Sequence, residues 1–346
     1  MRINRRRHCQ QLKRDRAGIT WIEVLVVLGI LLLVVAFCLP AVRVAREPAR
    51  RMQCKNNLKQ IGLGLHNYHD THQSYPPGYL INPDGPYLGW SWGLFVAPYV
   101  DSITTVDFPK GLHANLDRIN SARGSVFCCP SAGETVPLEH ALIVTADVAD
   151  GVVTPGDVDI PLRFPRSHLF GVAGYLRAEA GGIDREHSEV IDPKGTFMNR
   201  GSLGQIGNAC SSAHRYCDPQ NFQGVFAQNS GTKQQDIKDG TSNVFMVGER
   251  YMPGLTTAAT VGHGTWIAAT DCSTSTGLAN VLGDTSVPLN AGHLGIRPTT
   301  GFGSHHIGGS HFLLADGSVK FISDKIGIGL YRDLSTINDG RRVSGF

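Results

Sequence analysis

Charge is scarce in this chain. Asp, Glu, Lys and Arg supply 18% of its 346 residues, and residues 24–42 contain none. Motifs for the common chemistries are missing too. There is no phosphate-cradling loop, no dinucleotide fingerprint and no G-x-S-x-G elbow, so an enzyme has no starting point here. No C-x2-C pair occurs, and Cys128 and Cys129 are adjacent, which fits a zinc site poorly. EF-hand spacing is absent as well. A basic surface for nucleic acid disappears once the first 18 residues are set aside. They carry seven basic residues and one acidic, so a chain beginning at Ile19 moves from a formal +3 to −3. After Asp70 no helical pattern compares in strength with that of residues 52–69, except over 326–334. With 41 glycines, the composition suits a turn-rich β domain better than a helical bundle.

What is present concentrates at the N-terminus. Arg2, Arg5, Arg6, Arg7, Lys13, Arg14 and Arg16 precede Gly18-Ile19-Thr20-Trp21-Ile22-Glu23, and the 19 uncharged residues 24–42 follow. As a helix that run reaches about 28 Å, close to the ~30 Å of a bilayer's hydrocarbon core. Glu23 sits at its mouth, where a carboxylate is costly enough to be a functional residue by default. A secretory signal peptide would have a shorter apolar core, about 7–15 residues, and a small-residue cleavage site. Leu39-Pro40-Ala41-Val42-Arg43 is a poor one. A lipoprotein signal would use Cys38, but Phe37 puts a bulky ring beside the cut.

The basic leader, Gly18, the apolar Ile19, Thr20 and Glu23 closely resemble the recognition sequence of type IV prepilins. Ile19 and Trp21 stand where Phe and Leu are commonest. The resemblance implies cleavage by a prepilin peptidase between Gly18 and Ile19, N-methylation of Ile19, and pairing of Glu23 with a neighbouring subunit's amine during assembly. That pairing has a physical basis, since a carboxylate in low dielectric needs a cation.

Pro40 and Pro48 each remove a helical hydrogen bond, so a kink or melted turn is expected near them. From Met52 to about His69, Cys54, Leu58, Ile61, Leu65 and Tyr68 recur at three- and four-residue steps, forming one apolar stripe. Gly62 and Gly64 each weaken such a helix by roughly 0.5–1 kcal/mol against Ala, a cost that close approach to a sheet would explain. Ser74-Tyr75-Pro76-Pro77-Gly78 ends it.

Leu39-Pro40-Ala41-Val42, Cys54, Asn56-Asn57-Leu58-Lys59-Gln60-Ile61-Gly62-Leu63 and Leu65-His66-Asn67-Tyr68-His69-Asp70 look like a planctomycete-type prepilin-like family with an exported domain of unknown function. Its other marks follow in order: Pro76-Pro77-Gly78, Trp90 and Trp92, Phe127-Cys128-Cys129-Pro130-Ser131, and Asp239-Gly240-Thr241-Ser242-Asn243 through Gly248-Glu249. A terminal H-x9-DG motif, His306 with Asp316 and Gly317, completes the set. The likeness covers nearly the whole chain, more weakly over 132–200 and 273–295. It says little about activity.

The fold class expected is α+β. A basic leader occupies 1–18, and a long pilin-like helix 19–75, membrane-spanning in its first half. A β-rich, loop-rich head over 76–346 packs on that helix. The aromatic stretch 88–99, Val225-Phe226 and 244–249 read as parts of the β structure, and 132–222 as insertion loops. Residues 311–315 and 318–322 read as a hairpin across Asp316-Gly317. Six cysteines, Cys54, Cys128, Cys129, Cys210, Cys217 and Cys272, would lie in the exported part, where an even count favours disulfides. Cys54 on the stripe and Cys129 in the Cys-Pro-Ser element are expected to bridge stalk to head, and Cys210 to pair with Cys217.

His66, His69 and His72 read as exposed or capping residues, and His306 as packing on or bonding to the Asp316 turn. Asp236, Asp239, Asp316 and Asn243 could offer oxygens to Ca²⁺, but calcium takes 6–8 of them and local turn stabilisation is the better reading. No other cofactor is expected. Two function classes remain, neither an enzyme. One is a pseudopilin-like structural subunit of a type II secretion or type IV pilus-like assembly, held in the inner membrane with its head in the periplasm or outside the cell. The other is a non-polymerising, membrane-anchored binding module for an extracytoplasmic ligand. Gly18 and Glu23 favour the first, and the size of the head favours the second. The partners expected are a prepilin peptidase, the inner membrane and other pilin-like subunits, with no nucleic acid.

Overall fold

The computed structural model describes residues 20–80, 89–100, 124–132, 138–140, 162–164, 167–174, 223–251, 264–269, 281–291 and 301–341, with single residues at 106, 115, 118, 343 and 346. The chain divides into two units, Met1–Ala49 and Arg50–Phe346. Helix α1, Trp21–His72, contributes to both.

In the first unit α1 begins with a reciprocal cap. The Thr20 backbone N–H donates to Glu23 Oε2 at 2.8 Å, its hydroxyl donates to the same oxygen at 3.0 Å, and the Glu23 N–H returns to Thr20 Oγ1 at 3.3 Å. A Thr-x-x-Glu sequence encodes this capping box, a second use for Glu23. The apolar side chains that follow are exposed, Trp21 by 82% and Phe37 by 72%. Among the described residues no helix is long and apolar enough to cross a membrane. The described side chains of the uncharged run cover 24–37, fourteen residues or about 21 Å of helix, short of the ~30 Å hydrocarbon core. The membrane span expected over the first half of the helix is therefore not found among them. Of the kink or melted turn expected near Pro40 and Pro48, the melted turn does not occur. The helix runs from Trp21 to His72 through both, because each proline removes only one bond from the ladder.

In the second unit α1 ends where Gln73 adopts a φ of 59°, the left-handed stop usually filled by glycine. Strands β1 (Tyr79–Leu80) and β2 (Gly89–Ser91) join β7 (Ala268–Ala269) in a small sheet of order β1-β2-β7. Strands β3 (Leu138–His140) and β4 (Leu162–Phe164) pair separately. The main sheet has the order β10-β9-β6-β5-β8, built from β5 (Leu169–Val172), β6 (Phe245–Glu249), β8 (Leu282–Gly283), β9 (Gly309–Leu314) and β10 (Val319–Ser323). Its pairs are antiparallel except β5 with β8.

Both faces of the sheet are buried at β5, β6, β8 and β9. Leu313, Met246 and Val247 pack with Leu58, Ile61 and Leu65 of α1. Phe312, Leu314, Phe245 and Phe170 form a second core with Tyr331 of helix α3 (Ile328–Asp333). The alternation of Phe312, Leu313 and Leu314 between the two cores is the period-two pattern of a strand. A bulge between Phe245 and Val247 puts Met246 and Val247 on the same side.

The fold is α+β, with the stripe of α1 buried as its spacing predicts: Cys54, Leu58, Ile61 and Leu65 are all buried. The hairpin and α3 also lie where expected. Three readings need correction. Residues 92–96 form helix α2 (Trp92–Val96), because Ser91 caps it by accepting the Gly93 N–H at 3.3 Å. Val225 and Phe226 are fully buried but form no strand. And β5, inside the stretch read as insertion loops, lies between β6 and β8 in the main sheet. It is too short to stand out in sequence.

Gly62 and Gly64 of α1 sit where neighbours press closest. A Cβ on Gly62 would meet Leu313 Cδ1 at 2.8 Å, so there the expected approach to a sheet holds. On Gly64 it would meet Val100 Cγ1 at 2.5 Å and Val96 Cγ1 at 2.8 Å. Gly64→Ala should therefore lower stability by about 1–3 kcal/mol through overpacking, although Ala is the better helix former. An unchanged or raised thermal midpoint would contradict this packing.

Candidate functional site

Several of the motifs scattered along the chain meet along the second half of α1. Cys54 is joined to Cys129 by a disulfide, with Cα atoms 5.2 Å apart across a separation of 75 residues. Cys128 is left out of that bond. One turn on from Cys54, Asn57 Nδ2 donates to the Cys128 carbonyl at 2.9 Å and so holds the Cys-Cys-Pro turn against the helix. Lys59 Nζ reaches the Gly317 carbonyl at 3.2 Å, at the tip of the β9–β10 hairpin. That tip carries Gly317 at a φ of 79°, a conformation glycine adopts without cost. Asp316 Oδ1 accepts the Ser318 N–H at 2.8 Å, closing the turn.

His306 is not at that turn, which corrects the expectation that it packs on or bonds to Asp316. It precedes β9 whereas Asp316 follows it, so the H-x9-DG spacing brackets one strand. Its backbone is held by Ser304, whose Oγ accepts the His306 N–H at 3.0 Å and donates to the Gly309 carbonyl at 2.7 Å. Its Nε2 lies 3.6 Å from Cys129 Sγ and 3.5 Å from Glu249 Oε1.

Glu249 ends β6 as a buried carboxylate. Oε2 accepts the His311 N–H at 2.8 Å and the Ser310 hydroxyl at 3.2 Å, and lies 3.3 Å from His311 Nδ1. Oε1 has no hydrogen bond of good geometry and faces His306. Burial pushes this carboxyl up, but the contacts with His306 and His311 outweigh it and bring the pKa down to about 2. Glu249 is therefore ionised in the interior. The ligand atoms of Cys54, Cys129, Glu249 and His306 lie within 4.8 Å of one another, and all four residues are buried. As a disulfide, the sulfurs are a covalent staple between helix and head. As thiols, they would be two soft donors beside an imidazole and a carboxylate. Beyond His306, a cleft of about 420 Å³ opens, lined by Leu289, Asn290, His305, Ile307 and Asp324 among others.

The remaining candidates serve local structure or lie elsewhere. Asp236 caps its own turn through the Lys233 N–H at 2.8 Å. Asp239 accepts the Asp339 and Gly340 N–H groups at 2.8 and 3.0 Å, and Asn243 donates to the Asp239 carbonyl at 3.1 Å beside Gly240. These groups do not gather with Asp316 into a cation site among the described residues. His69 Nε2 accepts the Gln234 N–H at 3.3 Å, and its ring packs on Tyr75. Gly18, Ile19, Cys210 and Cys217 lie outside the described residues. Spacing along the chain argued against a metal, yet the four-residue group is drawn from α1, the 128–131 turn, β6 and the loop before β9. Glu249, His311, Asn57 and Lys59 had been assigned no role. The one available signal was a carboxylate ending the apolar run 244–248.

A family described as a protein of unknown function (DUF1559) matches residues 43–329. The chain belongs to that family. No curated protein and no solved structure matches it. The matched region contains the whole cluster, Cys54, Cys129, Glu249 and His306, and the family is one of planctomycete-type exported proteins.

Proposed function

We propose that this DUF1559 protein is a pseudopilin-like structural subunit, non-catalytic and held in the inner membrane with its head exported. A prepilin peptidase cuts it between Gly18 and Ile19, Ile19 is N-methylated, and the chain joins other pilin-like subunits of a type II secretion or type IV pilus-like assembly. The observation that carries this reading is α1 itself. One helix has an apolar, exposed first part and a second part whose stripe is built into the core of a β head and covalently stapled there. In sequence the uncharged run continues through residues 38–42, and residues 24–42 together make the anchor in this proposal. The Thr20 bonds fall on Glu23 Oε2, leaving Oε1 for a neighbour's amine. Co-expression with a prepilin peptidase should yield a chain starting at Ile19 by N-terminal mass spectrometry. An intact Met1, or a cut near Ala41, would remove the prepilin reading. The cleft beside His306 favours the second reading, an anchored binding module that does not polymerise.

A further inference from the structure

Two edges of the buried cluster already have the lengths of a metal site. With Zn–S near 2.3 Å and Zn–N and Zn–O near 2.0–2.2 Å, a tetrahedral zinc site has S···N edges of about 3.6 Å and N···O edges of about 3.4 Å. Cys129 Sγ to His306 Nε2 is 3.6 Å, and His306 Nε2 to Glu249 Oε1 is 3.5 Å. The carboxylate is prepared for such a role. Oε2 is anchored by Ser310 and by the His311 N–H, which fixes the plane of the group, while buried Oε1 has no hydrogen bond and is aimed at the cluster. Outer-shell bonds of this kind orient the ligands of metal centres. The cluster borders the cleft of about 420 Å³, which His306 helps to line.

We propose that in its dithiol state the chain binds one Zn²⁺ through Cys54, Cys129, His306 and Glu249. A dithiol or phosphine reductant supplies the two electrons that break the Cys54–Cys129 bond, and each sulfur takes a proton as the reductant is oxidised. Zinc then displaces both thiol protons to solvent and bonds the two thiolates. The sulfurs part to about 3.8 Å, the tetrahedral S···S edge. Two thiolates, an imidazole and a carboxylate suit zinc, whereas calcium and magnesium take oxygen donors. The same pair of cysteines thus ties helix to head covalently when oxidised and through a metal when reduced. The inference is independent of whether the protein polymerises.

The test uses the full chain in detergent, reduced with a phosphine, with Co²⁺ and Zn²⁺ alone as probes. The reduced wild type should take up one Co²⁺ per chain with thiolate-to-cobalt charge-transfer absorption, and Zn²⁺ should bleach it. The oxidised protein should show none. Cys128→Ser should behave as wild type. Glu249→Gln, which keeps both cysteines, should bind at least about a hundredfold more weakly, since outer-shell losses alone cost about 10–100-fold. The proposal is overturned if the reduced chain gives no such band, folded or not. It is equally overturned if the band survives Cys129→Ser, or if Glu249→Gln binds as tightly as wild type.

Discussion

Cys54→Ser should destabilise the head by about 4 kcal/mol, the largest effect expected of any single substitution. The bond it removes closes a loop of 75 residues, and chain-entropy arguments put a loop of that size near 4 kcal/mol of relief for the folded state. Cys54 and Cys129 are both buried, so no exposed segment can take up the change. Urea unfolding of the full chain, oxidised and reduced, beside Cys54→Ser, measures it. Reduced wild type without zinc should match the variant. A shift below about 1 kcal/mol would mean that the staple does not hold helix to head.

Glu249 should make stability fall steeply with acid. Its pKa is about 2 in the folded chain against an ordinary 4.5. The folded state therefore favours the ionised form, and the gain is complete above about pH 4.5. It is lost as the pH drops from there through about 2, because both states are then protonated. The full difference corresponds to about 3 kcal/mol. Glu249→Gln should be less stable than wild type by about that amount at pH 7, and the gap should close towards pH 2. Carboxylates remote from Glu249 titrate in both proteins and cancel. A gap that stays constant across the window would show that the charge of Glu249 contributes nothing to the fold.

Legibility in the sequence followed the range of the interactions. The stripe of α1 was readable because helix periodicity repeats over several turns, and the β9–β10 hairpin because Asp316-Gly317 is local turn chemistry. The Cys54–Cys129 bridge could be anticipated only because one partner sat on that stripe. Strand β5 could not be found. Its four residues are held by pairing with β6 and β8, which lie far along the chain. Helix α2 hid behind an aromatic composition that suits strands equally well, with Ser91 as the overlooked signal. The buried cluster was the least legible part. Its members are distant in sequence, and their chemistry depends on tertiary placement alone. The H-x9-DG spacing invited a contact between its ends, whereas β9 holds those ends apart.

The proposed role of α1 as an assembling pilin-like helix is tested most directly by crosslinking between neighbouring chains in membranes, wild type against Glu23→Gln. Glutamine still completes the capping box with Thr20, so the substitution removes the charge and leaves the helix start intact. Cleavage after Gly18, as proposed, should persist in this variant. Loss of crosslinks in Glu23→Gln, with the N-terminus still at Ile19, is the predicted result. For a plain anchor, deleting a costly carboxylate from an apolar segment would be silent or helpful. Equal crosslinking in both proteins would contradict the pseudopilin role.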